Sequence, residues 1–249
     1  LEFLRSFDAP RNDIELVEQT LSDLEELFLL VIVGEFNSGK SAFINALLGR
    51  DIEPEGVTPT TDRITLLRWA PENYERARVD GVLERGHPID LLREVAIVDT
   101  PGTNAIIRHH EELSKGFVPR SDLVLFVTSA DRPFTESERE YLEIIKEWGK
   151  KLIVIVNKTD LLSTKEDAEN IKEFIHSNMQ SLLGITPPIF LVSSKLARRA
   201  KVADCQIERD ALYKASGFEE LEEFILGILE ESNRIRLKLE SPLGVADQL

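Results

Sequence analysis

Between Leu29 and Gly49 the chain reads LLVIVGEFNSGKSAFINALLG. An apolar run suited to a buried strand stops at Gly34, and Lys40 and Ser41 open a helical pattern. The spacing is G-x-x-x-x-G-K-S, which carries chemistry only in such a strand–loop–helix setting. There the backbone N–H groups of the loop and the helix N-terminus form a concave donor array for phosphate oxygens. Lys40 supplies a charge toward the β- and γ-phosphates, and Ser41 a hydroxyl for Mg²⁺. Glu35, Phe36, Asn37, Ser38, Gly39 and Ala42 complete the candidate cradle. The competing reading is a glycine-rich turn beside an exposed lysine, and the flanking pattern argues against it.

The surrounding chain alternates strand and helix. Apolar segments at 29–33, 63–69, 95–98, 122–128, 151–156 and 188–192 predict strands, and 40–48, 135–148 and 165–183 predict helices. Runs such as KLIVIVN are continuous, as expected of strands covered on both faces. This alternation predicts an α/β fold with a mostly parallel, doubly wound sheet. Residues 76–94, with Asp80-Gly81, predict a hairpin and one antiparallel edge strand. Residues 12–27 and 217–240 lie outside the alternation and predict flanking helices packed as a partial bundle. The expected division is an N-terminal flanking helix at 1–28, a nucleotide domain at 29–200 and a C-terminal helical segment at 201–249.

Two further motifs name the ligand. VAIVDTPG, Val95 to Gly102, brings Asp99 to the end of a strand, where it can hold a water of Mg²⁺. Gly102 lets a backbone N–H approach the γ-phosphate. Alone, Asp-x-x-Gly is also an ordinary turn; its place after a phosphate loop gives it weight. IVIVNKTD, Ile153 to Asp160, then selects the base. The Asp160 carboxylate can accept from guanine N1 and the exocyclic amine, a pair that adenine does not offer. Asn157 can bond the purine edge or tie the phosphate loop, and the Lys158 stem can lie along the ring. A buried polar site left unpaired by the wrong base discriminates sharply, by ~10⁴-fold. FLVSSK, Phe190 to Lys195, follows the last strand, and Ser193, Ser194 and Lys195 could meet the guanine O6 side. In this order the motifs predict a P-loop NTPase with a Ras-like G domain, expected to take GTP to GDP and phosphate.

The formal net charge of −15 argues against a nucleic-acid partner and against this chain binding anionic lipid directly. A single cysteine, Cys205, excludes an internal disulfide and a cysteine-based zinc site. No apolar run near the front is long enough to cross a bilayer. The chain begins at Leu1 and reads as an excised piece of something longer.

EPEGVTPTTDRITLL, Glu53 to Leu67, resembles the first switch of bacterial dynamin-like proteins, and TSADRPFTESE, Thr128 to Glu138, resembles the loop after their fourth strand. The chain is thus similar to the GTPase domain of a bacterial or organellar dynamin-like protein of the mitofusin-related kind. The resemblance implies that Thr61, or else Thr60, reaches Mg²⁺. It implies flanking helices belonging to a helical neck, and G domains that form a homodimer across their nucleotide sites. It also implies membrane remodelling through regions absent from this chain, in the cytoplasm or an organellar stroma, peripheral to the membrane. Mitofusins carry a histidine two residues before the switch threonine; here it is Pro59, so no role passes to that position.

Asn37, Ser38, Lys40, Thr61 and Gly102 are the candidates for acting on the reacting phosphate. Ras-like enzymes place a glutamine just after Asp-x-x-Gly to orient water; Thr103 stands there instead. No arginine lies in the phosphate loop. Asn37 has two readings, a ligand for K⁺ as in Era-like GTPases or an amide that braces the loop. His109 and His110 are expected to be solvated, and Arg50 and Arg120 to be surface or salt-bridged residues. Two rival functions remain open at this point: an Era- or TrmE-like regulatory GTPase, and a slow nucleotide-gated binding module.

Overall fold

Continuous apolar runs become the middle of one sheet, because a strand with helices on both faces has no side left for water. The structure, a computed structural model, describes residues 27–53, 64–78, 81–100 and 117–230. In chain order the elements are β1 (Phe28–Val33), α1 (Lys40–Leu48), β2 (Thr65–Trp69), β3 (Tyr74–Ala77), β4 (Leu83–His87) and β5 (Val95–Asp99). Then come β6 (Leu123–Ser129), α2 (Glu136–Glu147), β7 (Leu152–Asn157), α3 (Lys165–Leu183) and β8 (Ile189–Leu191), followed by α4 (Ser194–Val202), α5 (Gln206–Ala215) and α6 (Phe218–Leu229). Short 3-10 turns at Asp90–Arg93 and Thr159–Leu161 complete the described elements.

The eight strands lie in the order β3-β4-β2-β5-β1-β6-β7-β8. β1 is paired in parallel with β5 on one side and β6 on the other, and β6-β7-β8 continue in parallel. The carboxyl ends of these five strands therefore line one edge of the sheet, where an open α/β sheet binds ligands. One core packs α1, α4 and α6 side chains such as Phe43, Ala197 and Phe218 against one face. The other packs Leu142 and Ile145 of α2 and Ile175 and Met179 of α3 against the opposite face. The fold is the mostly parallel, helix-flanked G domain expected from the motifs.

Three details differ from the sequence reading. The antiparallel strands are β2, against β5, and β4, which runs parallel to β2; the edge strand β3 turns back antiparallel to β4. β2 starts beside the carboxyl end of β5, Thr65 opposite Asp99, and so runs back against it. The hairpin starts earlier than expected, at Tyr74, and a 3-10 turn fills its far end. Helix α4 has no counterpart among the expected helices, and α5, inside the segment expected to be helical, buries none of its residues and shows no strong apolar stripe. Of the flanking helices, α6 forms and buries Phe218, Leu221 and Ile225. The expected helix at 12–27 lies outside the described residues except for its last position, as does everything after Glu230.

Candidate nucleotide site

The loop between β1 and α1 is braced from within. Ser38 N donates to Glu35 O at 3.2 Å, and Phe43 N to Gly39 O at 2.8 Å. Gly39 caps the helix with φ 90°, and a Cβ there would come within 2.4 Å of Asn157 Nδ2. Only glycine allows both that backbone turn and that approach. Lys40 is buried, and its Nζ donates to Gly34 O at 2.9 Å and Glu35 O at 3.0 Å. Burial lowers its pKa, against the opposing fields of Asp99, Glu138 and Glu35. Asn37 sits at φ 67° and is exposed at the loop. Asparagine tolerates that left-handed conformation better than most residues, which gives its identity a backbone reason besides any ligand.

Asp99 ends β5 with both carboxylate oxygens buried and at full hydrogen-bond geometry to no described residue. Burial raises its pKa to about 6, while Lys40, the Thr100 N–H and Arg85 pull the other way. The Ser38 hydroxyl is likewise buried without a partner among the described residues. Buried polar groups in folded proteins are nearly always satisfied. Unpaired carboxylate oxygens and a free hydroxyl beside a lysine fit a site built for phosphate and a hydrated Mg²⁺. Among the described residues no cluster of three or more His, Cys, Asp or Glu side chains could hold a metal alone. This fits an ion held by one hydroxyl, one carboxylate and a ligand's own oxygens.

Asn157 joins the phosphate loop to the base loops. Its Nδ2 donates to Gly39 O at 3.2 Å and Ser38 O at 3.4 Å. Its Oδ1 accepts from Lys158 N at 2.8 Å, Ser194 N at 3.1 Å and Ser194 Oγ at 3.0 Å. Of the two roles open to Asn157, these bonds are those of the tie. Asp160 accepts from Ser193 Oγ at 2.7 Å and pairs with Lys195 Nζ at 3.2 Å. Burial opposes its ionisation, but these two partners hold its pKa below the ordinary value. Lys158 adopts φ 63°, and its Nζ lies 3.5 Å from Asp131 Oδ1. Ser41 and Ala42 open α1 beside the lysine, and Glu35 and Phe36 are half-buried in the loop.

Thr60, Thr61, Gly102, Thr103, His109 and His110 lie outside the described residues. Arg50 and Arg120 are exposed, as expected. The motif reading missed three groups. Glu138 is buried, caps α2 through Thr135, and accepts from Thr128 Oγ1 at 3.1 Å. Glu53 is buried against Arg85 Nη1 at 3.2 Å, and its backbone is held by the Asn45 carboxamide. Asp131 holds Lys158. Glu138 has a local pattern of its own, Thr-x-x-Glu at 135–138, that of a capping box; Glu53 and Asp131 stand in segments that carried only a resemblance.

Residues 29–158 match the family described as 50S ribosome-binding GTPase. A probable transmembrane GTPase, FZO-like and chloroplastic, from Arabidopsis thaliana is 40% identical over 269 residues, covering 100% of this chain and 30% of that protein. A bacterial dynamin-like protein from Nostoc punctiforme is 29% identical over 189 residues, 59% of this chain and 27% of its own length. A solved structure of an oligomerised bacterial dynamin pair superposes with a TM-score of 0.70 over 98% of this chain and 44% of that one, at 20% identity. The chain thus spans less than a third of the length of these two curated relatives. With the matched span covering the phosphate loop, Asp99 and Asn157, the chain belongs to that GTPase family and is a G domain similar to those of dynamin-like proteins.

Proposed function

We propose that this chain binds GTP and hydrolyses it to GDP and phosphate as the G domain of a longer dynamin-like membrane-remodelling protein. The observation that carries the reading is the Asn157 carboxamide, which bonds the phosphate loop at Ser38 and Gly39 and the base loop at Ser194. One residue thereby supports a single cleft with a phosphate end and a base end. In it Lys40 and the loop N–H groups bind the phosphates, and Asp160 reads guanine with Ser193, Ser194 and Lys195 around it. Ser41 and Asp99, with Thr61 or Thr60, are the residues that would hold Mg²⁺, which when bound neutralises charge on the phosphates. Gly102 offers its N–H to the γ-phosphate, and Asn37 is the candidate ligand for K⁺. Residues 29–200 form the nucleotide domain in this reading, with 1–28 and 201–249 as its helical flanks.

Thr103 stands where Ras-like enzymes carry glutamine, and the phosphate loop has no arginine. An arginine finger is worth ~10³–10⁵ in rate where one is present, so a lone domain is slow. Pairing of two G domains across their nucleotide sites, with K⁺ at Asn37, would offset that deficit. Membrane contact would come through other parts of the longer protein. The chloroplast relative favours an organelle among the possible locations, and no described helix is long and apolar enough to cross a membrane.

Phosphate release should be followed over a wide range of protein concentration in K⁺ and in Na⁺ at equal ionic strength. The expected result is a rate per molecule that climbs with concentration and is higher in K⁺, with the ion preference lost in Asn37→Ala. A flat rate per molecule would contradict pairing and favour the slow binding module. Equal rates in both salts would contradict the role of Asn37.

A further inference from the structure

The loop from β6 to α2 is held harder than a connection needs. Ala130 N donates to Asn157 O at 2.9 Å, carrying the β6–β7 ladder one residue past β6. Arg132 N donates to Ser129 O at 3.2 Å. Phe134 is held at φ 65°, a conformation uncommon for an aromatic residue, with its ring buried and the Arg139 guanidinium 5.7 Å from the ring centroid. Thr135 and Glu138 close the loop with a reciprocal cap on α2. Backbone strain of this sort persists only where the surroundings over-determine it, and it gathers at functional sites.

Asp131 is what this loop presents. Ser129 Oγ donates to Asp131 Oδ1, and the Lys158 ammonium lies 3.5 Å from the same oxygen. The Lys158 stem runs beside the phosphate loop: its Cε is 4.0 Å from the place a Cβ on Gly39 would take. The lysine is thus fixed at its backbone by Asn157 Oδ1 and at its head by Asp131, with its methylenes between. The Ser129 hydrogen bond, and then the Lys158 charge, keep Asp131 below the usual carboxylate range, so it is ionised at neutral pH.

We propose that Asp131 is a positioning residue of the nucleotide site, holding the Lys158 ammonium so that the lysine stem forms a fixed wall between the phosphate loop and the guanine base. The inference rests on the reading that Asp160 and its neighbours bind guanine. A four-carbon stem has many rotamers in solution, and ordering it before the nucleotide arrives removes an entropic cost from binding. Asp131 and Lys158 are partly exposed, 49% and 27% at their side chains, so the gain is of the modest size found for solvent-screened pairs.

The test is a double-mutant cycle on the whole chain with a fluorescent GDP analogue, comparing Asp131→Asn, Lys158→Met and the double variant. Asp131→Asn is expected to weaken binding about three- to fivefold, mainly through faster release, and the loss is expected to shrink in high salt. The double variant is expected to bind no worse than Lys158→Met, because the aspartate acts only through the lysine. Asp131→Glu should recover part of the loss. A purely structural role would instead lower the melting temperature without nucleotide and would add to the Lys158→Met loss. Additive losses, or parental affinity in Asp131→Asn, would overturn the inference. Asp160→Asn, measured alongside, separates the two readings: its loss of GDP with Asp131→Asn unchanged contradicts the Asp131 role alone. Unchanged affinity in both variants contradicts the guanine site as well.

Discussion

Burying a carboxylate favours its acid form, and three acids around the phosphate loop live under that rule. Burial lifts Asp99 to about 6, and Glu53 and Glu138 to about 7 each. For Glu138 the sign is plain. Its pKa in the fold is above its ordinary 4.5, so the folded state holds the proton more tightly than the unfolded chain does. Stability from this group therefore falls as pH rises from about 4.5 to about 7 and is level beyond. Glu138→Gln keeps an oxygen to accept from Thr128 and from the Thr135 N–H but cannot titrate. Urea unfolding without nucleotide should show the parent losing on the order of 1–3 kcal/mol more than Glu138→Gln between pH 5 and 8. Parallel pH profiles would show that Glu138 keeps its ordinary pKa in the fold.

Among the elements, the joint between α5 and α6 bears most directly on the site. Ser193 N donates to Ser216 O at 2.8 Å, tying this joint to the base loop. Gly217 follows at φ 72°, and a Cβ there would stand 2.2 Å from Leu191 O. Phe218 then packs on Phe43 of α1, ring centroids 5.7 Å apart. Gly217→Ala meets both a strained backbone and a carbonyl that has no room to yield. We expect it to lower stability by more than about 1 kcal/mol and to weaken GDP binding as well. Chemical unfolding and nucleotide titration check the two effects, and an unchanged affinity would show the joint and base loop to be independent. This coupling left no trace in the sequence, where Leu191 and Gly217 are far apart and Gly217 belongs to no motif. By contrast α3 was readable in full, because Thr164 and Asp167 cap its start and Gly184 ends it. The same division runs through the site. Lys40, Asp99, Asn157 and Asp160 were legible because each belongs to a local motif on a strand end. Arg85 and Glu53 were not, since their pairing joins residues 32 positions apart across a reversed strand.

On the scale of the whole molecule, the sheet brings five parallel strand ends to one edge, and the described motif residues gather there. Three loops from that edge share the Asn157 carboxamide or its neighbours, which links the phosphate end and the base end of the proposed cleft. Lys40→Ala should abolish useful nucleotide binding with the fold intact, because its ammonium contacts loop carbonyls and supplies charge to the site. Near-parental turnover with a native circular dichroism spectrum would contradict that assignment. Everything proposed for the cleft depends on its reading guanine through Asp160. The most direct test of that reading is the affinity of the parent and of Asp160→Asn for GTP, ATP and xanthosine triphosphate. The amide reverses part of the donor and acceptor pattern offered to the base. The parent should prefer GTP, and the variant should lose GTP and gain the xanthosine nucleotide. A variant that keeps the parent's preference for GTP over both other nucleotides would contradict it.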